Sequence, residues 1–478
     1  MVKSCFSTLP CMESYRNKDV SFCYRGRTYN FSLSQELFSS AAIDTGSRFL
    51  LKVFSDYLDG DFTGRISLHD EPLSILDSGS GVGVLGICAA GALSAIAKPD
   101  ASVFKVHVRA QDRDELARIF TEYNARGNGL GEDVLEAFTE PLLSCPPEQK
   151  WDLILTNIPA KAGLPVLEDF VRRSASVLKK DGRVFLVAVN TLADFFRSQI
   201  KAGAMLIKEA QGKEHTVFVY TESFTTEDTE LHGENLGWPQ SGPIIFDGNF
   251  PLSYPFYIRS RGSCEMEGIS YHLDTVHGAP DFDSPGGGIQ AAAKLALKLN
   301  PTPKPAADSS MLIHDEGQGH FALWLKAYLG VTKPALQQDA HTFRWILSGR
   351  NILALSAARV ALEAANTEIN AAVSVEAIPV VDIFLDRERL AAAARSSGGY
   401  SLIACFTDKV TDRTNTGTAG RAVTLWEGLH YLAAPGCIAI IGTTSAEADH
   451  FDKKKPPEWR RLGDIKRKGF RALMYRKG

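Results

Sequence analysis

Short apolar runs alternate along this chain with segments whose apolar positions recur every three or four residues, and that alternation organises most of its length. It predicts strand 73–77, helix 82–97, strand 104–110, helix 113–126, strand 151–156, helix 165–179, strand 182–189, helix 191–202, and strands 204–209 and 215–221. A parallel sheet covered by helices on both faces and closed by an antiparallel pair is the expected product. The pattern then runs again: strand 310–314, helix 320–329, strand 350–355, helix 357–370, strand 379–385, helix 386–396, strand 400–405, helix 419–432, strand 436–441 and a last strand near 469–475.

The segments themselves repeat as well. TYNFSLSQELFSSAAIDTGSRFLLKVFSDYL (28–58) and SYHLDTVHGAPDFDSPGGGIQAAAKLALKL (270–299) share a tyrosine-led strand, a turn and an amphipathic helix. Each is followed by a strand that ends in a glycine loop, ILDSGSGVGVLG (75–86) and LIHDEGQGHFAL (312–323). Spacing this wide marks duplicated domains rather than a solenoid. Residues 234–262 are dense in Pro and Gly and read as a linker with the opening of the second copy, which places the boundary near 235 and gives domains 1–235 and 236–478.

Composition narrows the class. The chain has 478 residues, 44% hydrophobic and 23% charged, as in folded globular proteins. The apolar stretch from Gly81 to Ala97 is broken by glycines and follows Asp77, so no membrane span is expected. The start MVKSCFSTLPCMES has no basic end followed by an apolar core, so no leader is expected. Eight scattered cysteines without a CxxC pair suggest reduced thiols in a cytoplasm and no metal site. The net charge of −4 hides an asymmetry, because residues 453–478 hold eleven Lys or Arg against Glu458 and Asp464. That segment, with Trp459, Phe470 and Tyr475 interleaved, suits a phosphate backbone and stacked bases, and equally a solvated terminal hairpin.

The chemistry gathers in the first copy. Strand residues LSIL deliver Asp77 and then Gly79, Gly81 and Gly83 into a helix start, where small residues admit a ligand and unpaired N–H groups await it. Gly81, Gly83 and Gly86 also satisfy the dinucleotide pattern GxGxxG, so NAD or FAD competes as ligand, as does a purely structural tight turn. Three features favour S-adenosylmethionine. Asp77 can receive an ammonium; Asp112 ends the next strand, where it can accept ribose hydroxyls; and Asn157-Ile158-Pro159 ends a further strand beside the switch point of such a sheet. Lys161 could meet an anion, although a lone loop lysine is more often solvated.

The series LFSSAAIDTGSR (37–48), LDSGSGVGVLGI (76–87), QDRDELARIFTEYNARGNG (111–129), DLILTNIPAKAG (152–163) and KDGRVFLVAVN (180–190) resembles the class I S-adenosylmethionine-dependent methyltransferases of the methyltransferase small group. Within the group it is most similar to the tandem-domain ribosomal RNA guanine-N2 methyltransferases. The resemblance implies an α/β fold of two tandem Rossmann-like domains, the second degenerate, acting in the cytoplasm as a monomer. It implies S-adenosylmethionine as cofactor, held by Asp77, Gly79, Gly81, Gly83, Asp112, Arg113, Glu140 and Asn157 and covered by Phe38 and Gly46. Thr139 competes with Glu140 for the adenine, and Ser39 and Asp44 share the covering segment. Asn157, Ile158 and Pro159 would hold an exocyclic amine of a base in RNA for methylation.

Two departures bear on the substrate and on domain order. The group's Asn-Pro-Pro-aromatic reads Asn157-Ile158-Pro159-Ala160, which lacks the aromatic that would stack on a base. In the duplicated enzymes the working copy is normally C-terminal, whereas here it is N-terminal. In the second copy Asp315-x-Gly317-x-Gly319 persists, Phe321 is expected where Gly83 stands, Ala354 where Asp112 stands, and Cys405-Phe406-Thr407-Asp408 in place of Asn-Ile-Pro. The functions in competition are an RNA methyltransferase, a methyltransferase for a small molecule or protein, and a non-catalytic scaffold binding cofactor or RNA.

Overall fold

The computed structural model describes residues 15–38, 40–60, 62, 71–96, 104–146, 148–223, 244–245, 247–280, 283–300, 310–332, 344–367, 374–394, 398–407 and 421–478. They form two compact units, Tyr15–Asp247 with Tyr254–Tyr257, and Gly248–Ser253 with Ile258–Gly478. The expected boundary at 235 lies outside the described residues.

The first unit opens with a hairpin, β1 (Arg16–Tyr24) and β2 (Arg27–Ser34), whose turn residues Arg25 and Gly26 are both left-handed. Two positive φ angles in a two-residue loop match the twist of the strands they join. Helix α1 (Thr45–Asp59) follows, with Leu50, Leu51, Val53, Phe54 and Leu58 buried. The sheet comprises β3 (Leu73–Ser78), β4 (Val106–Asp112), β5 (Leu135–Thr139), β6 (Trp151–Asn157), β7 (Leu178–Val189), β8 (Met205–Gln211) and β9 (His215–Thr221). Its order is β5-β4-β3-β6-β7-β9-β8, parallel except for β9, which runs antiparallel to both neighbours. Helices α2 (Val84–Leu93), α3 (Glu115–Gly127), α4 (Leu164–Ser176) and α5 (Ala193–Gly203) connect the strands. The chain steps outward from β3 to β5 and returns on the other side at β6, so a switch point lies at the carboxyl end of β3, where sheets of this kind bind ligands.

Local sequence explains these elements. All six residues of β3 are buried, which is why it reads as a continuous apolar run rather than an alternation. Every residue of α2 is buried too, and its small side chains let other elements approach: a Cβ at Gly91 would collide with the Tyr29 hydroxyl on β2. Asn124 on α3 ties three elements together. Its Oδ1 accepts from Ser32 N (2.8 Å), and its Nδ2 donates to Ser32 O (3.1 Å) and to Val82 O (2.9 Å). Residues 254–257 dock on α4, where Arg173, in a buried ion pair with Asp169 (2.7 Å), faces the rings of Tyr254 and Phe256.

The second unit repeats the arrangement. Strand β10 (Ile258–Ser260) pairs with β13 (Thr275–Val276), β11 (Ser263–Met266) and β12 (Ile269–His272) form a hairpin, and α6 (Gly287–Leu299) follows. The sheet of β14 (Ser310–His314), β15 (Arg344–Gly349), β16 (Ser374–Pro379), β17 (Tyr400–Phe406), β18 (Ala433–Thr444), β19 (Trp459–Arg467) and β20 (Phe470–Lys477) has the order β16-β15-β14-β17-β18-β20-β19. Strand for strand, that is the order of the first sheet. The helices are α7 (His320–Thr332), α8 (Ile352–Thr367), α9 (Arg387–Ala394), α10 (Arg421–Leu432) and α11 (Ser445–Lys453). Among the described residues no helix is long and apolar enough to cross a membrane.

Three expectations need correction. The strand placed at 350–355 lies at 344–349, because Asn351 Oδ1 accepts from Ala354 N (3.1 Å) and starts the alanine-rich α8 there. The strand placed at 379–385 ends at Pro379, since Asp382 Oδ1 accepts from Phe384 N and Leu385 N (2.8 Å each) and turns the chain. The basic segment 453–478 is the closing hairpin of the second sheet, not a tail. Its Trp459 and Tyr475 are core residues at 0% exposure, so they offer no face to a base. Arg461 pairs with Asp452 and Asp464, Arg471 with Asp449 and Asp464, and Arg467 with Glu267.

Candidate functional site

The glycine loop of the first unit is a run of left-handed turns. Gly79, Gly81 and Gly83 have φ of 75°, 57° and 86°, a region that L side chains rarely adopt. Gly79 N (2.9 Å) and Ser80 N (3.0 Å) both donate to Gln111 O, which lashes the loop to the end of β4. A Cβ built on Gly79 or Gly81 would meet nothing within 4 Å, so these two border open space. Gly83 differs: its Cβ would lie 3.0 Å from Ile87 Cδ1 and from Thr121 Cγ2, so its smallness serves helix packing.

Asp77 is fully buried beside this space. Its Oδ2 accepts from Gly86 N (2.8 Å) in the first turn of α2, and its Oδ1 has no hydrogen-bond partner among the described residues. Burial pushes the carboxyl up to about 7; the Gly86 N–H works against that rise and the nearby Asp112 adds to it. An orphaned buried oxygen of this kind is open to a hydrogen-bond donor, and an ammonium is one such donor.

Asp112, at the end of β4, lies across the loop. Its Oδ2 accepts from Gly81 N (3.1 Å) and its Oδ1 from Asp114 N (3.0 Å), leaving further lone pairs on both oxygens. Burial, then Asp114, raise its pKa. Arg113 is the next residue and offsets part of that rise. In the strand register Asp112 stands opposite Thr139, whose hydroxyl donates to Glu115. Glu140 does not face Asp112: it is held by Arg109 (2.7 Å), which stacks 3.6 Å over the Phe138 ring.

Across the switch point, Asn157 closes β6. Its Nδ2 donates to Asp44 Oδ2 (2.7 Å) and Ser47 Oγ (3.1 Å) at the start of α1. Asp44 also caps that helix, accepting from Ser47 N (3.0 Å). Gly46 lies between them and the sheet; a Cβ there would sit 2.8 Å from Asp44 Oδ2 and 3.0 Å from His215 Cδ2. Ile158 is buried, whereas Pro159, Ala160 and Lys161 are exposed. Phe38, expected as a cover, is 72% exposed, and Ser39 lies outside the described residues. Ser47 and Thr121 belong to the site although no sequence motif singles them out. The spacing Asp44-x-x-Ser47, that of a helix cap with its N3 residue, carries a signal for the former.

The second unit allows a position-by-position comparison. Asp315, Gly317 and Gly319 have φ of 56°, 74° and 102°, and Asp315 N donates to Ser348 O (2.7 Å) as Gly79 N does to Gln111 O. Asp315 therefore stands where Gly79 stands, and Gly319, not Phe321, stands where Gly83 stands. The shared D-x-G-x-G spacing suggests an alignment shifted by two residues from this one. Asp77 is matched by Ile313, which belongs to the core. Asp112 is matched by Gly349 rather than Ala354, and the β14–β17 register matches Asn157 with Phe406. Phe406 packs edge-on against Phe321 (4.9 Å between centroids). Glu316 supplies a carboxylate in the loop instead: its Oε2 accepts from Ala322 N (2.7 Å), Oε1 has no partner among the described residues, and burial pushes its pKa up to about 8. Asp408 lies outside the described residues.

The donor set of the first unit fits S-adenosylmethionine. Asp77 Oδ1 suits an ammonium, the space at Gly79 and Gly81 suits the chain of atoms beside it, and Asp112 suits a diol. Among the described residues no three His, Cys, Asp or Glu are grouped to hold a metal.

Comparison with known proteins agrees. Residues 28–197 match the model of the methyltransferase small domain. Uncharacterized protein YbxB of Bacillus subtilis (strain 168) is 28% identical over 185 residues, covering 38% of this chain and 79% of YbxB. The structure of T. thermophilus 16S rRNA N2 G1207 methyltransferase (RsmC) in complex with AdoMet and guanosine matches with a TM-score of 0.55 at 12% identity, over 98% of this chain and 100% of that one.

Proposed function

We propose that this S-adenosylmethionine-dependent methyltransferase, identified by its methyltransferase small domain at residues 28–197, methylates an exocyclic amine of a base in RNA, with guanine N2 of ribosomal RNA as the leading candidate. The observation that carries the cofactor side is Asp77 Oδ1, a buried acceptor without a partner beside an open glycine loop. The acceptor side is supported by Asn157 at the switch point and by a relative, similar in fold over the whole chain, that acts on 16S rRNA at N2 of G1207.

S-adenosylmethionine supplies an electrophilic methyl on a sulfonium, and its transfer is an in-line displacement that needs alignment more than a strong base. The chain's own residues provide that alignment. Asp77 would take the ammonium, Gly79 and Gly81 would let the backbone approach, and Asp112 would accept the ribose hydroxyls. Thr139, opposite Asp112, and Glu140 both stay candidates for the adenine, the first with its hydroxyl on Glu115 and the second held by Arg109. Asn157 Oδ1 and the Ile158 carbonyl hold the amine so that its lone pair faces the methyl. The second unit we read as a degenerate copy without a cofactor site, since Ile313, Gly349 and Phe406 replace Asp77, Asp112 and Asn157.

One feature favours a second reading, a small-molecule or protein acceptor: Ala160 offers no aromatic face for a base. Incubation with labelled S-adenosylmethionine, total RNA and a small-molecule extract separates the two. Label entering RNA with the wild type and not with Asp77→Ala supports the RNA reading; label confined to the extract overturns it.

A further inference from the structure

Asn157 has an amide with two chemically different ends, and which end faces the acceptor decides what the site can hold. The amide nitrogen is engaged by Asp44 Oδ2 (2.7 Å) and Ser47 Oγ (3.1 Å). A carboxylate has only acceptors to offer, so the end of Asn157 that meets Asp44 must be its NH2 group. The opposite end, Oδ1, is then turned to the switch point as a hydrogen-bond acceptor. Asp44 is itself held: the same Oδ2 caps α1 by accepting from Ser47 N (3.0 Å), and the absence of a side chain at Gly46 leaves space for that oxygen, which a Cβ would approach to 2.8 Å.

We propose that Asp44 is a positioning residue, which holds the Asn157 amide by its nitrogen and so favours methyl acceptors that donate a hydrogen bond, such as an exocyclic amine. Carbonyl or deprotonated oxygen acceptors would meet a repelling lone pair. The inference rests on the methyltransferase reading above for its chemistry, but the hydrogen bond itself can be tested without any substrate.

Three variants isolate the effect. Asp44→Ser keeps a good helix cap but its shorter side chain does not reach Asn157. Asp44→Asn keeps an oxygen in the place that serves both Ser47 N and Asn157. The double variant Asp44→Asn/Asn157→Asp lets the amide at position 44 donate to the carboxylate at position 157, which still presents an oxygen to the switch point, but gives up the cap to Ser47 N. In protein labelled with 15N-asparagine, the side-chain amide of Asn157, assigned by its loss in Asn157→Asp, is expected to exchange slowly in wild type and faster in Asp44→Ser. Unchanged exchange would overturn the proposal. With an RNA that wild type methylates, Asp44→Ser is expected to lower kcat about 10–100-fold, as small misplacements do, with cofactor Kd within about threefold. Asp44→Asn should stay near wild type, and the double variant should recover part of what Asn157→Asp alone loses. An Asp44→Ser enzyme with full kcat, or a double variant no better than Asn157→Asp, would overturn the proposal. Failure of wild type to label RNA would count against the RNA reading alone, and the amide exchange would still decide the role of Asp44.

Discussion

The two sheets share one strand order and one left-handed loop, yet their carboxyl edges carry different side chains. In the first, a buried carboxylate with an unused oxygen precedes a glycine loop that borders open space, and a second carboxylate lies across the loop. In the second, the matching strand end is the core residue Ile313, Gly349 stands in place of the second carboxylate, and Phe406 packs on Phe321 where the first has Asn157. The loop geometry therefore belongs to the fold, whereas the charges at its edge differ between the two units. Glu316 sharpens the point: a carboxylate can cap the helix from the loop, so Asp77 is not required for that task alone.

The contrast can be broken at several points. Ile313→Asp should not create a cofactor site. It should cost about 3–5 kcal/mol, the penalty of an unpaired buried charge, visible as a lower denaturant midpoint; a variant as stable as wild type would show that the second crevice has room for solvent. Asp77→Ala should weaken cofactor binding by about 100-fold, as loss of a charged hydrogen bond does, whereas Glu316→Gln should leave it unchanged; calorimetry distinguishes them.

The pH dependence follows from the same residue. Because burial raises the Asp77 carboxyl to about 7, the cofactor-free protein carries a proton there below that pH, and binding an ammonium requires its release. Affinity should fall about tenfold for each pH unit below about 7, and Asp77→Asn should abolish the slope. The sign for stability is the reverse. A carboxyl raised from its ordinary value of about 3.9 stabilises the cofactor-free fold at acid pH, and that contribution is lost as pH rises towards about 7. Smallest of all should be the difference between Gly83→Ala and Gly319→Ala. Both glycines have positive φ and close neighbours, so each should lose about 1–2 kcal/mol of stability, with cofactor affinity following stability rather than contact.

Much of this architecture is legible in the sequence. Apolar runs mark β3 and β14, the tyrosine-led strand and helix that precede each sheet stand out as a repeat, and residue type and spacing single out Asp77, Gly79, Gly81, Asp112 and Asn157. The rest depends on contacts that no local pattern encodes. The run NILALS reads as a strand, but Asn351 caps a helix there, a side-chain bond that periodicity cannot register. Asp315-x-Gly317-x-Gly319 mimics Asp77-x-Gly79-x-Gly81, and only the backbone angles reveal a shift of two residues. Trp459 and Tyr475, set among cations, look available to bases, yet the hairpin turns them into the core. The link from Asp44 to Asn157 spans 113 positions and has no local signal beyond a helix cap.

The central claim is that one of two similar crevices holds the cofactor. Titration of the wild-type chain with S-adenosylmethionine in a calorimeter at neutral pH tests it most directly. One equivalent bound per chain, with an affinity about 100-fold weaker after Asp77→Ala, is the expected result. Two equivalents, or an affinity unchanged by Asp77→Ala, would contradict it.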